Sequence, residues 1–168
     1  MSRHGQAAPP SFACERGDHA ECMRDALAKA EQVSAARGLR LTRLRRRVLE
    51  LIWASHTPVK AYDLLEQLRQ EHANAAPPTV YRALDFLVQE GFVHRIESLN
   101  AYIGCDIPER DHQGQFLICE SCGEAAELSN PEIEAALLET ARTLGFRLES
   151  SLVELKGRCA RCRQSQSA

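Results

Sequence analysis

Apolar side chains recur at helical spacing in the first half of the chain and predict four helices. The first is expected over about residues 22–37, where Gly38 can end it. Thr42 is the predicted N-cap of the second helix, because its hydroxyl can accept a bond from the first turn. The third helix follows Pro58, and the fourth opens at Pro77. The predicted buried faces of the last three helices are Leu44, Val48, Leu51 and Ile52, then Leu64, Leu65 and Leu68, then Val80, Leu84, Leu87 and Val88.

Two short apolar runs, residues 92–96 and 101–103, follow the fourth helix and predict a β-hairpin. Compact helices followed by a hairpin are typical of a winged helix-turn-helix, in which the last helix of the pair enters the major groove of DNA. On the outer side of that helix, Thr79, Tyr81 and Arg82 are suited to contacts with bases and phosphates. A helical bundle with a merely solvated polar face is the alternative.

The second half of the chain has a β-β-α-β pattern. Strands are predicted over residues 115–118 and 125–128, and a last strand over residues 146–156 with a bulge or break. Asn130 is the predicted cap of the intervening helix, whose expected buried stripe is Ile133, Leu137, Ala141 and Leu144. Because a unit this small leaves an exposed strand edge, pairing with a second copy is plausible.

The predicted fold class is therefore α+β, an N-terminal winged helix-turn-helix followed by a small α/β dimerisation domain with a four-cysteine zinc site. The expected divisions are a mobile N-terminal extension (1–21), a winged-helix DNA-binding domain (22–104), a hinge (105–113), the dimerisation domain (114–163) and a tail (164–168).

Charge is distributed unevenly behind a net value of −2. Residues 1–98 carry 14 basic and 12 acidic side chains, whereas residues 99–168 carry 7 and 11. Six arginines fall within residues 37–47 and strengthen the DNA-binding interpretation, because phosphate contacts dominate affinity. Arg46 could equally pair with Glu50 on a solvated face. The sequence has no apolar run long enough for a membrane span and no apolar signal core, so a cytoplasmic protein is expected.

Seven cysteines in a chain without a secretory signal favour metal ligands or reactive thiols over disulfides. Two C-x-x-C pairs bring four sulfurs to two tight turns, which favours a structural tetrahedral zinc site. Those four are Cys119, Cys122, Cys159 and Cys162. Thiol-redox motifs are the alternative interpretation.

Other candidate ligands lie between the two halves of the chain: His94, Cys105, His112 and Glu127. A set of two imidazoles, a thiolate and a carboxylate suits tetrahedral zinc and argues against magnesium or calcium. Such a site would bridge the two predicted domains and fix their relative orientation. Spacing alone does not prove it, because isolated histidines are more often ordinary surface or core residues.

Several segments together resemble the ferric-uptake-regulator (Fur) family, and within it the zinc-sensing members. The resemblance covers about residues 24–162 and is carried by Gly38-Leu39-Arg40-Leu41-Thr42, Ala61-Tyr62-Asp63-Leu64-Leu65, Pro77-Pro78-Thr79-Val80-Tyr81-Arg82-Ala83-Leu84-Asp85-Phe86-Leu87 and Gly91-Phe92-Val93-His94. Iron sensors of the family typically have a His-rich cluster where this chain has only His112, and zinc sensors keep a thiolate at the position of Cys105.

The resemblance implies a function and assigns roles to residues. It implies a homodimer that binds double-stranded operator DNA when zinc, two ions per chain, is bound, and that represses zinc-uptake genes. By similarity the four paired cysteines hold the structural zinc, and His94, Cys105, His112 and Glu127 hold the regulatory zinc. Arg40, Tyr81 and Arg82 match positions that contact DNA.

Three alternatives remain at this point. An iron or peroxide sensor of the same family is the nearest. A zinc hydrolase would need an open coordination position, and the sequence has no H-E-x-x-H arrangement. A thiol-redox switch would use the C-x-x-C pairs. Cys14, His19 and Cys22 lie in or beside the N-terminal extension, where a weak metal site or incidental thiols are both possible.

Overall fold

The computed structural model of the protein describes residues 19–71, 73–108 and 114–165. Its helices are α1 His19–Ala36, α2 Arg43–Trp53, α3 Ala61–Glu71, α4 Pro77–Gln89, α5 Pro131–Thr143 and α6 Ala160–Gln164. Its strands are β1 Val93–Ile96, β2 Ala101–Gly104, β3 Gly114–Cys119, β4 Ala125–Glu127 and β5 Leu152–Gly157. The hairpin β1–β2 and the 3-10 turn Glu97–Leu99 between its strands are together called the wing. Four helices, a wing and a second small α/β group confirm the predicted α+β class.

Local sequence signals act at the helix ends as expected. The Thr42 hydroxyl accepts a hydrogen bond from the backbone N–H of Arg45 (3.4 Å) and caps α2. The Asn130 side chain likewise accepts from the N–H of Glu132 (2.9 Å) at the start of α5. Gly38 adopts a φ of +66° after α1, a left-handed conformation that a residue with a Cβ rarely enters.

The chain boundaries differ in detail from the prediction. Helix α1 begins at His19, so residues 19–21 belong to that helix and not to a separate extension. Most of the predicted extension (1–18), part of the hinge (109–113) and the end of the tail (166–168) lie outside the described residues. Within the described ranges, no helix has the length and apolar character that crossing a membrane requires.

Helices α1 to α4 and the wing share one apolar core. The predicted faces of α2 and α3 contribute to it, and Val48, Leu64 and Leu68 are fully buried. On α4 the buried positions are Val80, Ala83, Leu84 and Leu87, which follow the i, i+3, i+4, i+7 spacing of one helical face. The prediction was wrong for Val88, which is 37% exposed because it lies at the edge of that face.

The second group of elements is built on a sheet of order β4-β3-β5. Strand β3 pairs antiparallel with β4 and parallel with β5, and α5 lies in the crossover between β4 and β5. The predicted last strand over residues 146–156 was too long at its start. Because β3 begins at Gly114, opposite Leu152, the described part of β3 offers no partner to residues 146–151.

The predicted buried stripe of α5 was also wrong. None of its residues is buried, and Leu137 and Leu144 are 37% and 79% exposed. Helix α5 therefore presents apolar side chains that no other described part of this chain covers.

The wing packs against the three-stranded sheet through a second apolar cluster. Ile96 and Ile103 of the wing contact Phe116 and Ile118 of β3, with Ala125 of β4 at the edge. Ile96 and Phe116 are both fully buried. The two groups of elements are thus joined by burial of apolar surface, which is favourable at about 25 cal/mol per Å².

Close packing at the end of β2 gives a first testable prediction. A Cβ on Gly104 would overlap the indole ring of Trp53, which is nearly buried in the first core. We expect Gly104→Ala to lower the free energy of unfolding by about 1–3 kcal/mol, measured by urea denaturation. Gly157→Ala in β5 is the matched control, since its Cβ would meet nothing within 4 Å. Equal stability of the two variants would contradict the prediction.

Candidate metal centres

Four cysteine sulfurs converge where the parallel strands β3 and β5 end. Cys119 is the last residue of β3, and Cys159 follows β5. Their sulfurs and those of Cys122 and Cys162 all lie within 4.8 Å of one another. The sulfurs of Cys122 and Cys159 are 3.9 Å apart. A tetrahedral zinc with Zn–S bonds of about 2.3 Å requires sulfurs about 3.8 Å apart, so the geometry fits a zinc ion.

Protons are shared unequally among these sulfurs. The backbone N–H of Cys159 donates to Sγ of Cys119 (3.4 Å), and this bond, with the N–H of Cys122, lowers the pKa of Cys119 to about 6. A hydrogen bond with Cys159 raises the pKa of Cys162 to about 12. Four adjacent sulfurs cannot all carry negative charge unless a cation compensates them. A bound zinc would supply that cation and fully deprotonate the set.

An ion pair that no sequence pattern indicated lies beside this cluster. Nη2 of Arg161 donates to Oε1 of Glu124 at 2.6 Å, and the same guanidinium interacts with the sulfur of Cys122. A zinc ion with four thiolates has a net charge of −2, so a guanidinium beside one sulfur opposes that charge.

A second cluster lies between the wing and the sheet. His94 belongs to β1, Cys105 follows β2 directly, and Glu127 ends β4. Their ligand atoms all lie within 4.8 Å of one another, and Nε2 of His94 is 2.9 Å from Oε1 of Glu127. The Cys105 side chain is buried, and the His94 ring packs edge-on to Phe116 with 5.2 Å between the ring centres. The cluster therefore joins residues that are distant in sequence and belong to both groups of elements.

The electrostatics of His94 are set by its two neighbours. Burial by itself would lower the pKa of His94, but hydrogen bonds with Cys105 and Glu127 outweigh that effect and raise the pKa to about 9. In the absence of metal the imidazole is therefore protonated at neutral pH. A metal ion that binds Nε2 must displace this proton.

The fourth residue predicted for this site, His112, lies outside the described residues. The three described donors are an imidazole nitrogen, a thiol sulfur and a carboxylate oxygen. This chemistry fits zinc, for which these are the usual ligand types, and the sulfur disfavours magnesium and calcium. The assignment of the ligands stays a prediction. Cys14 and the side chain of His19 are likewise outside the description, and Cys22 belongs to neither cluster.

The predicted DNA-contacting residues occupy one side of α4 and the chain before α2. Tyr81 is 51% exposed, Arg82 is exposed and Thr79 is half-buried. Nε of Arg82 donates to the carbonyl of Pro78 one turn earlier (3.3 Å). Arg40 is exposed in the segment between α1 and α2. These positions are compatible with a helix face presented to DNA.

Most of the arginine run is committed to contacts within the protein. Arg46 pairs with Glu31 and Glu50, and Arg47 pairs with Glu50 and Glu71. The remaining contacts are those of Arg37 with the carbonyls of Glu90 and Pro108, and of Arg45 with the carbonyl of Arg40 and the ring of Phe86. Among the described residues, no hydrogen bond or ion pair is found for the guanidinium groups of Arg40 and Arg43. The sequence therefore overstated how much of this run is available to phosphates.

Comparison with known proteins identifies the family. The model of the ferric uptake regulator family matches residues 36–156, which is most of the chain. The chain belongs to the ferric uptake regulator family. The zinc uptake regulation protein of Escherichia coli (strain K12), a relative, is 41% identical over 140 residues, covering 83% of this chain and 82% of the relative. Members of the ferric uptake regulator family regulate transcription.

Solved structures of family members agree with the fold. A zinc uptake regulator complexed with zinc and DNA is 39% identical, with a TM-score of 0.82 that covers 87% of this chain and 98% of that one. Holo XcZur is 43% identical, with a TM-score of 0.78 over 83% of this chain and 98% of its own.

The apo form of the same relative differs in arrangement. Apo XcZur is 42% identical, and the comparison covers 85% of this chain and 99% of the other, yet the TM-score is 0.51. Because identity and coverage are almost the same for the two forms, the difference lies in how the parts of the structure are placed. The arrangement of this chain is therefore more similar to the holo form than to the apo form.

The paired cysteines give a second prediction. We expect Cys119→Ser to lose the zinc of the four-cysteine cluster and to unfold the elements built on the sheet β4-β3-β5. The reason is that such sites contribute on the order of 10 kcal/mol to folding. Zinc content and thermal melting measure the effect. Cys22→Ser, in α1 and outside both clusters, is the control. Unchanged melting and zinc content in Cys119→Ser would contradict the assignment.

The protonation of His94 gives a third prediction. Its pKa is raised from 6.5 to about 9, so the stability that protonation gives the metal-free protein is complete below pH 6.5 and is lost as pH rises through 9. Zinc affinity at this cluster should increase over the same range, because less proton must be displaced. In chelator-competition titrations, the zinc affinity of the wild type should rise with pH more steeply than that of His94→Gln. The difference should be about tenfold per pH unit, which corresponds to one displaced proton. Parallel slopes would refute the competition.

Proposed function

We propose that this chain is a zinc-sensing transcriptional repressor that binds operator DNA as a zinc-loaded homodimer and shuts off zinc-uptake genes. The observation that carries the proposal is the position of Cys105, whose thiol meets His94 and Glu127 between the wing and the sheet. A buried thiol in a mixed donor set favours zinc among the metals that such regulators could sense. The relatives named for zinc uptake regulation, and the one solved with zinc and DNA, support the same function.

The proposal assigns the chain's parts as follows. Residues 22–104 form the DNA-binding domain, with Arg40, Thr79, Tyr81 and Arg82 facing DNA. Residues 105–113 are the hinge, residues 114–163 the dimerisation domain and residues 164–168 the tail, and the extension comprises the residues that precede α1. Two zinc ions bind per chain: one to Cys119, Cys122, Cys159 and Cys162, the other to His94, Cys105, His112 and Glu127.

Exposed apolar side chains support the homodimer. Leu144 and Phe146 are 79% and 64% exposed, and Leu152 and Leu155 of β5 are 42% and 47% exposed. Phe146 also lines, with Leu138 and Leu148, a depression beside α5. Monomeric proteins seldom leave such surfaces open, so a second copy is the natural cover.

The mechanism follows from thermodynamic linkage. The donors of the regulatory site come from the wing side and the sheet side, so zinc binds the arrangement that brings them together better than one that separates them. If DNA also prefers that arrangement, DNA must tighten zinc binding by the same factor by which zinc tightens DNA binding. His94, Cys105 and Glu127 would hold the ion, which would supply the positive charge that keeps these donors together.

No catalytic step is assigned to either cluster. The four-sulfur site fills all its positions with protein atoms, and the mixed site would do so with His112 as the fourth ligand. We place the protein in the cytoplasm, where its DNA target would be accessible.

The test is operator binding at buffered free zinc, ferrous iron and manganese. We expect zinc alone to promote binding, and Cys105→Ser to keep fold and dimer while losing most of the zinc response. The reason is that serine replaces the buried thiolate with a poor zinc ligand. Gel-shift titrations measure the affinity, and light scattering the dimer.

Arg82→Ala is the matched control on the DNA side. It should cost about 1–3 kcal/mol of operator affinity while zinc binding stays at the wild-type level. Activation by ferrous iron alone would instead identify an iron sensor. Wild-type zinc response in Cys105→Ser would refute the regulatory site.

A further inference from the structure

One row of residues across the three-stranded sheet faces the wing. Phe116 of β3 is in register with Glu127 on β4 and with Glu154 on β5. Residues in register on neighbouring strands point to the same face of a sheet. The row therefore has an aromatic ring at its centre and a carboxylate at each end. Phe116 and Glu127 already have partners in the wing, since both contact His94.

The carboxylate at the other end of the row also meets the wing. Oε1 of Glu154 accepts hydrogen bonds from the backbone N–H groups of Glu97 (2.8 Å) and Ser98 (3.3 Å). These two groups begin the 3-10 turn of the wing, whose own N-cap, Ile96, has no side chain that could cap it. A residue 57 positions away in sequence thus supplies the missing cap from another group of elements.

We propose that Glu154 is a positioning residue for DNA binding, a metal-independent anchor that holds the wing on the sheet opposite the regulatory zinc site. Metal ligation by His94 and Glu127 would fix the wing at the β4 edge, where the two side chains already meet. Glu154 fixes it at the β5 edge through its two N–H donors. Phe116 separates the two attachments.

In addition to the apolar packing around Phe116, two polar attachments restrict the rotation of the wing more than one does. A wing held only at His94 could pivot about that point, and α4, which precedes β1 directly, would pivot with it. A second anchor at the turn removes this freedom before DNA is bound. It thereby lowers the entropy cost of ordering the wing and α4 when the operator binds. The match to the holo form of the relative shows that the anchored arrangement resembles a metal-loaded one.

The importance of this anchor for DNA binding rests on the proposed function, but its existence does not. The test therefore uses two measurements on the full-length, zinc-loaded protein. Amide hydrogen exchange at Glu97 and Ser98, followed by NMR, reports the anchor alone. Operator affinity reports its consequence. Zinc content must stay at the wild-type level, since Glu154 belongs to neither ligand cluster.

Glu154→Ala should speed exchange at both amides at least tenfold and weaken zinc-dependent operator binding about tenfold, since hydrogen bonds to a charged acceptor are lost. Glu154→Gln keeps an uncharged acceptor and should fall between wild type and the alanine variant. This variant also keeps the test valid if the alanine variant does not fold. Glu149→Gln, an exposed residue in the segment before β5, makes the same charge change away from the wing and should behave as wild type.

Two results would overturn the proposal. Wild-type exchange at Glu97 and Ser98 in both Glu154 variants would show that no anchor forms. Faster exchange with unchanged operator affinity would show that the anchor does not position the wing for DNA. Failure of the wild-type protein to bind DNA in response to zinc would instead refute the proposed function.

Discussion

The packing of the wing on the three-stranded sheet is the contact on which the rest of the arrangement depends. Phe116 is fully buried between the two groups of elements, and Ile96 and Ile103 close over it. This apolar contact places His94 beside Glu127 and the turn of the wing beside Glu154. Without this contact the wing could move away from the sheet, and His94 would be separated from Glu127. The polar contacts are specific in direction, but the buried ring sets the distance at which they can form.

The four-cysteine cluster secures the surface on which the wing rests. Strands β3 and β5 are parallel neighbours joined through a long crossover, and β5 is exposed along most of its length. A three-stranded sheet with one uncovered helix has little core of its own. A zinc ion held by Cys119 and Cys159 would offset that deficit, since these residues lie where the pairing of the two strands stops. Zinc at this site would therefore stabilise the row that carries Phe116 and Glu154.

The sequence predicted what depends on local spacing and missed what depends on tertiary pairing. Caps at Thr42 and Asn130, the helices and the hairpin follow from short-range signals, and the structure confirms them. The C-x-x-C pairs and the resemblance to the family also pointed to both ligand clusters. The length of β5 was overestimated because it is set by the start of β3, and the α5 stripe was misjudged because its apolar residues face outward from a single chain. No sequence pattern predicted the Glu154 contact, because its partners are backbone N–H groups, which every residue except proline has.

The distribution of donors would allow one cluster to sense zinc and not the other. Cys119 ends β3 and Cys159 follows β5 in the same sheet, so movement of the wing would leave the four-sulfur set intact. Its affinity is then the same in every arrangement of the wing, and a ligand of equal affinity for two states shifts neither. The mixed cluster instead takes His94 and Cys105 from the wing side and Glu127 from the sheet side. Separation of the two sides would remove at least one donor, so a zinc ion held by this cluster would bind the closed state more tightly and favour it. A sensory role follows from where the ligands are attached, not from which atoms they are.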